Sequence, residues 1–600
     1  MNPAFRWTVL WIVGSLFMVA AALAMVTASF DGREYLPSNA DAFYHARRIL
    51  DSVFSGQPVI QFDDRIHVPE GSWLNWPWGF DTLLAWITAA FGPYRDRAAA
   101  ARILMNIPPA AAPIAIALVV NIARQLKLPA LLAALLVLGC AALPTAYAPF
   151  AVGNVDHHFA ELLWTLGTVS AAIWFFTPGS SSPAAGITLG SVLASALAIH
   201  NSLFILMVPV ILMLAATWLR GAPLPDRARV LGFAVSLLLV TTLVCVPSEP
   251  WRRGFFEFYT LSWFHFYVSA CVAVFSAALL WLPRNGRNVV LLSIATLVAL
   301  LPLISSVRLA GDFVSGNLAI IRDITEVHSP YLLYRDFGEA FSLRLLSALM
   351  WITGPMLLLN LWWVIRERSA QIQFVAIVGV LGLALMQMQF RFAVFGELSM
   401  LLTPLLLAKF VSERQPRWRN HAVVGTAVLF SGAFYPTLAN WQPLWTLGGD
   451  QGYPWTQPAF PVIKSLCEQR RGIVLADIHA GHWIRYHSEC SVIGDVFLMT
   501  AQHAAKVQET NRLLQLTPAE LLKESREIRY VLVRHSVPLY LGDDGKEGPE
   551  LEELRGSLPA LERELLGPTS QLPAQYTLRA NVTTPGGQTY ARVFEINRGP

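Results

Sequence analysis

Three short polar segments interrupt an otherwise apolar sequence, and each combines carboxylates with imidazoles. They are residues 39–45 with Asp41, residues 153–161 with Asp156 and His158, and residues 322–330 with Glu326. Carboxylate oxygens joined by an imidazole, without a thiolate, form a hard site that suits Mg²⁺ or Mn²⁺. The competing interpretation is a set of solvated loop acids, with the Asp-His-His run capping a helix.

Two further places carry side chains that could bind a substrate. Arg391 lies between two apolar runs, where a guanidinium either anchors the chain at the membrane surface or clamps a phosphate. The stretch from Asp477 to Tyr486 follows a predicted strand and includes His479 and Trp483. Loops at strand ends often carry sites, but an ordinary strand-to-helix connection is equally compatible with this composition.

The composition divides the chain into two parts. Of its 600 residues, 54% are hydrophobic and 14% are charged, which excludes a wholly soluble protein. Residues 440–600 carry 34 charged side chains, whereas the much longer stretch 1–439 carries 50. We therefore expect a membrane domain over 1–439 and a soluble domain over 440–600. A net charge of +4, with no basic stripe between aromatics, argues against nucleic acid as a partner.

Thirteen apolar stretches are long enough to cross a bilayer. They are 8–28, 104–123, 129–150, 159–177, 184–200, 203–219, 229–247, 261–282, 288–308, 346–366, 372–389, 396–412 and 421–437. Residues 78–92 are shorter and contain Asp81, which predicts an interfacial helix instead of a crossing.

The basic residues predict the orientation. With a cytoplasmic N-terminus, the inner loops hold 14 basic and three acidic residues, whereas the outer loops hold 14 basic and 19 acidic residues over nearly three times the length. This positive-inside pattern places loops 29–103 and 309–345 and the domain 440–600 outside the cytoplasm, in the periplasm if the membrane is a bacterial inner membrane. The number of intervening crossings also brings the three polar segments and Arg391 to this one outer face.

Residues 440–600 alternate predicted strands with predicted helices, which is typical of a layered α/β domain. The strands are 472–478, 491–496, 530–536 and 590–597, and the helices are 499–514 and 518–528. The turn 584–587 predicts a terminal hairpin. Cys467 and Cys490 both lie in this domain and can pair if it faces an oxidising compartment.

The order of these motifs resembles the catalytic-subunit family of oligosaccharyltransferases, most closely the single-subunit bacterial and archaeal enzymes. The motifs are an Asp in the first outer loop, an Asp-His-His run in the second, an Ile-x-Glu run in a long later loop, an Arg two spans further on, and an outer α/β domain after 13 spans. The resemblance covers essentially the whole chain. It implies a GT-C glycosyltransferase fold.

The resemblance also implies a role for each residue. The metal ligands would be Asp41, Asp156, His158 and Glu326, holding Mg²⁺ or Mn²⁺. Asp41 and Glu326 would also hold the acceptor nitrogen. Arg391 would bind the phosphate of the polyprenyl-linked donor, and the loop 309–345 would order over bound substrate.

The sequence departs from the family's pattern at two places. Asp323 stands where the family's Thr-Ile-x-Glu motif has its threonine. The family's Trp-Trp-Asp-Tyr-Gly motif, which reads the Ser or Thr of an acceptor sequon, corresponds here to Leu475-Ala476-Asp477-Ile478-His479. The aspartate is present and both tryptophans are missing. His479 and Trp483 are the residues that could take the place of the tryptophans.

Three functions follow as hypotheses. The first is a metal-dependent, inverting transfer of a glycan from a polyprenyl pyrophosphate carrier to protein asparagine. The second keeps the fold and the site but uses a hydroxyl on a lipid, polysaccharide or protein, or a polyprenyl monophosphate donor. The third is a transporter of lipid-linked glycans, against which stand the lack of an inverted repeat and the gathering of the acids on one face. Metal chelation should abolish transfer under the first two and leave the third unaffected.

Overall fold

The computed structural model describes residues 3–179, 182–306, 308, 328–337, 346–439, 452–535, 555–584 and 587–598. Within these residues, ten helices are long and apolar enough to cross a membrane. They are Ala4–Ala28, Arg97–Gln125, Asn201–Leu219, Arg227–Cys245, Trp263–Trp281, Gly286–Ser306, Ala348–Arg366, Ala370–Met388, Phe390–Arg414 and Pro416–Ala439. The chain is therefore a multi-pass membrane protein.

The other three stretches predicted to cross are also helical, but each differs from a straight span. Ala130–Ala142 continues into Pro144–Phe150 at an angle of 68°, because a proline begins the second helix there. Ala184–Ile199 has only 16 residues. His158–Phe175 begins with polar side chains in its first turn, which lowers its mean hydropathy. The described part thus contains ten crossings, or eleven with the bent pair, against the thirteen expected.

The first outer loop, residues 29–103 on the predicted outer side, folds into helices and a small hairpin. Helix Ala40–Ser55 is capped by Asn39, and a left-handed Gly56 ends it. Strands β1 (Phe62–Asp63) and β2 (Ser72–Trp73) pair antiparallel. Helix Trp78–Ala90 has 13 residues, so at about 1.5 Å per residue it is too short to span a bilayer.

Residues 440–600, named the outer domain after their predicted side of the membrane, contain in their described part a five-stranded mixed sheet with helices packed on it, as expected. Its strands are β3 (Ile473–Leu475), β4 (Ser491–Val492), β5 (Ile528–Arg534), β6 (Tyr576–Thr583) and β7 (Thr589–Ile596), in the order β4-β3-β5-β7-β6. Its longer helices are Phe460–Gln469, Ile478–His487, Ala501–Leu514, Pro518–Glu524 and Ala560–Leu565. β3 runs parallel to both of its neighbours, and β6 and β7 form the predicted terminal hairpin.

The first outer loop and the outer domain share one hydrophobic core. Its largest members are Phe43, Tyr44 and Trp76 from the loop and Tyr453, Phe460, Trp483, Phe497 and Tyr530 from the domain. The backbone of Val492 in β4 bonds to Arg65 at 2.9 Å, which attaches the loop beside the sheet. A disulfide joins Cys467 to Cys490, the pair anticipated from the sequence. The loop that carries Asp41 is therefore held by the outer domain as well as by the helical bundle.

Candidate active site

Asp156 lies at the centre of the site, and a glycine fixes the loop before it. Gly153 has a φ of +79°, and a Cβ there would lie 2.6 Å from a backbone oxygen of the first outer loop, so glycine is required. The Ser38 amide donates to the Gly153 carbonyl at 3.0 Å, and the Asn39 side chain donates to that of Asn154 at 2.9 Å. The first two polar segments therefore meet.

Three imidazoles surround the Asp156 carboxylate, which is 3% exposed. His157 Nδ1 lies 2.6 Å from Oδ1, His158 Nε2 lies 3.6 Å from Oδ2, and His45 Nε2 lies 3.7 Å from Oδ1. Burial alone would raise the pKa of Asp156, but His158 and His157 outweigh it and hold that pKa below its usual range. Asp156 therefore presents an anionic oxygen among imidazole nitrogens.

Two of these imidazoles are also contacted by other carboxylates, at the ring nitrogen that faces away from Asp156. His45 Nδ1 lies 2.6 Å from Asp81 Oδ1, and Asp81 pairs in turn with Arg48 at 2.5 Å. His158 Nδ1 lies 2.9 Å from Glu161 Oε2. A carboxylate on Nδ1 orients the ring and leaves Nε2 as the ligating nitrogen, an arrangement shared by metal-binding histidines.

Five members of this cluster are not among the predicted site residues. His45, His157 and Glu161 lie inside two of the polar segments, and Asp81 and His200 lie outside them. His200 Nδ1 lies 2.8 Å from Glu161 Oε1, and its ring stacks on that of His157 with centroids 4.3 Å apart. The available signal is the presence of acids and histidines at the ends of apolar helices. Such residues are costly near a bilayer unless they serve a site.

Two overlapping sets of side chains could hold a cation. They are His45, Asp156 and His157, and then His157, His158 and Glu161; within each set, one ligand atom per residue lies within 4.8 Å of the others. Imidazole and carboxylate ligands together suit Mn²⁺ or Zn²⁺ better than Mg²⁺, which prefers oxygen. The residues present therefore fit a divalent transition metal.

Asp41 stands beside this cluster, in the first turn of helix Ala40–Ser55. Its side chain is 40% exposed, and its Oδ1 lies 3.9 Å from Nδ1 of His482 in the outer domain. Because its loop is hydrogen-bonded to the loop of Asp156, the two residues lie at the same end of the bundle. Asp156 occupies the buried side of that end, and Asp41 the partly exposed side.

Glu326 and Asp323 lie outside the described residues, as does most of the loop 309–345. Residues 328–337 of that loop are described, and the Phe390 amide donates to the His328 carbonyl at 2.8 Å. This bond joins a residue two positions after Glu326 to the residue before Arg391. Arg391 itself is half-buried in the short 3-10 helix Phe390–Phe392.

The three residues predicted to bind the acceptor belong to helix Ile478–His487, with Asp477 as its N-cap, His479 in its first turn and Trp483 in its middle. Asp477 accepts a hydrogen bond from the His479 amide at 3.0 Å and forms a two-point ion pair with Arg534 at 2.7 and 3.0 Å. Burial alone would raise the pKa of Asp477, but Arg534 lowers it to about 2. His479 is exposed, whereas Trp483 is 1% exposed within the core. His479 is thus the one of the three whose side chain faces solvent.

The fold of this chain occurs in solved glycosyltransferase structures. Archaeal oligosaccharyltransferase AglB from Archaeoglobus fulgidus, in complex with an inhibitory peptide and a dolichol-phosphate, matches with a TM-score of 0.71 at 16% identity, covering 99% of this chain and 74% of that one. The Archaeoglobus fulgidus oligosaccharyltransferase tethered to an acceptor peptide with the NVT sequon gives 0.70 at 16% identity, covering 100% and 74%. Arabinofuranosyltransferase AftD from Mycobacteria gives 0.53 at 13% identity, covering 100% and 42%.

At these identities the similarity establishes the fold. It confirms the expected GT-C membrane domain followed by an α/β domain. No protein-family profile and no curated protein matches the sequence.

Proposed function

We propose that this chain is a metal-dependent, inverting glycosyltransferase that moves a glycan from a polyprenyl-linked donor to an acceptor on the extracytoplasmic side of the membrane. The observation that carries the proposal is the cluster of the buried Asp156 and the partly buried His158, whose loop is hydrogen-bonded to the loop of Asp41. The shared fold supports it, because the solved relatives include complexes with a dolichol-phosphate and with an acceptor peptide.

Two groups of residues would activate the donor: the metal ligands and Arg391. Asp156 and His158 would hold a divalent metal, and Asp41 would be a further ligand. A bound divalent ion supplies positive charge that stabilises the departing phosphate. Arg391 contributes a second positive group, because a guanidinium can contact two phosphate oxygens at once.

The acceptor is oriented by carboxylates. Asp41 and Glu326 accept hydrogen bonds from the attacking group and direct its lone pair at the anomeric carbon, opposite to the phosphate. The new bond forms as the sugar–phosphate bond breaks, so the configuration at that carbon inverts. One of the two carboxylates takes the proton that the acceptor loses.

Protein asparagine is the first candidate acceptor. An amide nitrogen is a poor nucleophile, and two carboxylates that hold its hydrogens offer one way to activate it. The order of the motifs supplies such a pair in Asp41 and Glu326.

A hydroxyl is the second candidate acceptor, and the contacts of Asp477 and the burial of Trp483 favour it. Both oxygens of Asp477 are engaged, one by Arg534 and the other by Arg534 together with the His479 amide. Trp483 is enclosed in the core. The two residues are therefore poorly placed to read the Ser or Thr of a sequon, and a hydroxyl acceptor needs a single general base.

The test uses the purified full chain with polyprenyl-linked glycans that carry either one phosphate or two. Acceptors are an Asn-x-Thr peptide, the same peptide with Gln in place of Asn, and a polysaccharide with free hydroxyls. We expect transfer to be lost on chelation and restored by Mn²⁺, and Asp156→Asn to lower it by at least about 100-fold because a charged ligand is removed.

Asp64→Asn is the matched control, because Asp64 is an exposed carboxylate on the same outer loop. Transfer that survives chelation, or that Asp156→Asn leaves unchanged, contradicts the proposal. Movement of the lipid-linked glycan across a vesicle membrane without transfer would instead identify a transporter.

A further inference from the structure

One imidazole of the outer domain reaches the backbone next to Asp41. His482 lies on helix Ile478–His487, which packs on helix Ala40–Ser55, and it is fully buried. Its Nδ1 lies 3.0 Å from the Ala40 carbonyl oxygen, so the ring N–H donates to the residue directly before Asp41. The same nitrogen lies 3.9 Å from Asp41 Oδ1.

The other side of the ring faces a second buried pair. His482 Nε2 lies 3.6 Å from Asp495 Oδ2, and Asp495 Oδ1 lies 3.0 Å from His67 Nε2. The rings of Tyr44 and Phe497 enclose His482 at centroid distances of 5.1 and 4.8 Å. The imidazole therefore has one orientation, with Nδ1 toward Asp41 and Nε2 toward the outer domain.

Packing alone does not account for a histidine at this position. An apolar side chain of similar size would fill the same space, whereas a buried polar ring is destabilising unless its polar atoms are bonded. Here the bonded partner is the carbonyl that immediately precedes the partly exposed carboxylate of the site. The contact is thus placed where it can restrict the position of Asp41.

We propose that His482 is a positioning residue, which holds Asp41 in its ion-binding and acceptor-binding orientation from the outer domain. The inference rests on the proposed function of Asp41. Its consequence is that helix Ile478–His487, whose first turn exposes His479, belongs to the catalytic site. Asp495 sets the orientation of the ring that makes the contact.

Two substitutions of His482 test the contacts of its Nδ1 and of its Nε2 separately. In His482→Asn, the amide nitrogen can take the place of Nδ1 and keep the bond to Ala40. In His482→Gln, the longer amide can take the place of Nε2, so the contact with Asp495 is kept and the bond to Ala40 is lost. The pair therefore tests the bond beside Asp41 with a polar side chain retained in both variants.

We expect His482→Gln to weaken Mn²⁺ binding by about tenfold, the low end of the effect of residues that orient metal ligands, and to lower kcat by a similar factor. His482→Asn should stay within about threefold of wild type in both quantities. Mn²⁺ affinity is read from the electron paramagnetic resonance signal of free Mn²⁺ in titrations of the full chain without donor or acceptor. His421→Gln, which removes an exposed imidazole from a distant helix, is the control.

Equal Mn²⁺ affinity in wild type and His482→Gln would overturn the inference, as would equal losses in the Asn and Gln variants that follow a common fall in unfolding temperature. If wild type transfers no glycan but His482→Gln alone binds Mn²⁺ more weakly, the positioning role stands and the proposed function fails.

Discussion

At the scale of single residues, Arg391 is the position where two interpretations give different kinetics. Lysine keeps the positive charge but cannot present a planar pair of donors to a phosphate. If Arg391 binds the donor, Arg391→Lys should raise the KM for the polyprenyl-linked glycan about tenfold and leave the KM for the acceptor unchanged. Initial rates at varied donor and acceptor concentrations measure this, and an unchanged donor KM restores the membrane-anchor interpretation.

Glu562 is a buried carboxyl group of the outer domain whose ionisation is costly. Burial, and next the charge of Asp477, raises its pKa to about 8, and among the described residues no group donates to its Oε2. Its folded pKa lies above the unfolded value of 4.5, so the neutral form contributes stability at low pH. That contribution is lost as the pH rises from about 4.5 to 8.

We therefore expect Glu562→Gln to unfold at a higher temperature than wild type at pH 9, corresponding to roughly 3–5 kcal/mol, and at nearly the same temperature at pH 5. Thermal unfolding of the full chain in detergent, followed by tryptophan fluorescence at both pH values, measures the difference. A difference that does not change with pH would show that the carboxyl group is not ionised at pH 9.

At the scale of elements, the loop before Asp156 depends on Gly153. Alanine there would be strained by the positive φ and would press on the backbone of the first outer loop. We expect Gly153→Ala to reduce transfer by at least about tenfold through displacement of Asp156. Gly254→Ala is the matched control, since Gly254 has a φ of +80° with open space around its Cα. If both variants lose the same activity, backbone strain and not the fit to the loop is responsible.

The elements that length and apolarity define could be predicted from the sequence. All thirteen stretches expected to cross contain helices, because a run of apolar residues near a bilayer has no better way to bond its backbone. The bend after Ala142 was not predicted, since the apolar run continues through it. No range was predicted for strand Tyr576–Thr583, although its residues alternate between apolar and polar and the predicted hairpin requires a strand before the turn 584–587.

The residues of the candidate site could also be predicted only in part. Asp156 and His158 could be located because they sit together in one short loop. His45 and Asp81 lie on two different helices and His200 lies between two others, so tertiary packing brings them together, which no local pattern records. The role of His482 depends on a contact with Ala40, 442 positions earlier in the chain.

At the scale of the whole molecule, the proposed orientation has a direct test. Fusion of alkaline phosphatase after the outer domain should give an active reporter in a bacterial host, because that enzyme folds only outside the cytoplasm. Fusion at residue 415, in a predicted inner loop, should give an inactive one. A reversed pattern would place the candidate site on the cytoplasmic face. The Cys467–Cys490 disulfide agrees with the expected result, since such bonds persist in oxidising compartments.

The attachment of the first outer loop to the outer domain also determines when the candidate site can form during synthesis of the chain. Arg47 donates to the Ser488 carbonyl, and His67 pairs with Asp495, across separations of 441 and 428 positions. Asp41 is synthesised well before these partners. If the proposed function holds, the membrane helices can insert before Asp41 is held in place, and a chain that stops before residue 478 would be inserted but inactive.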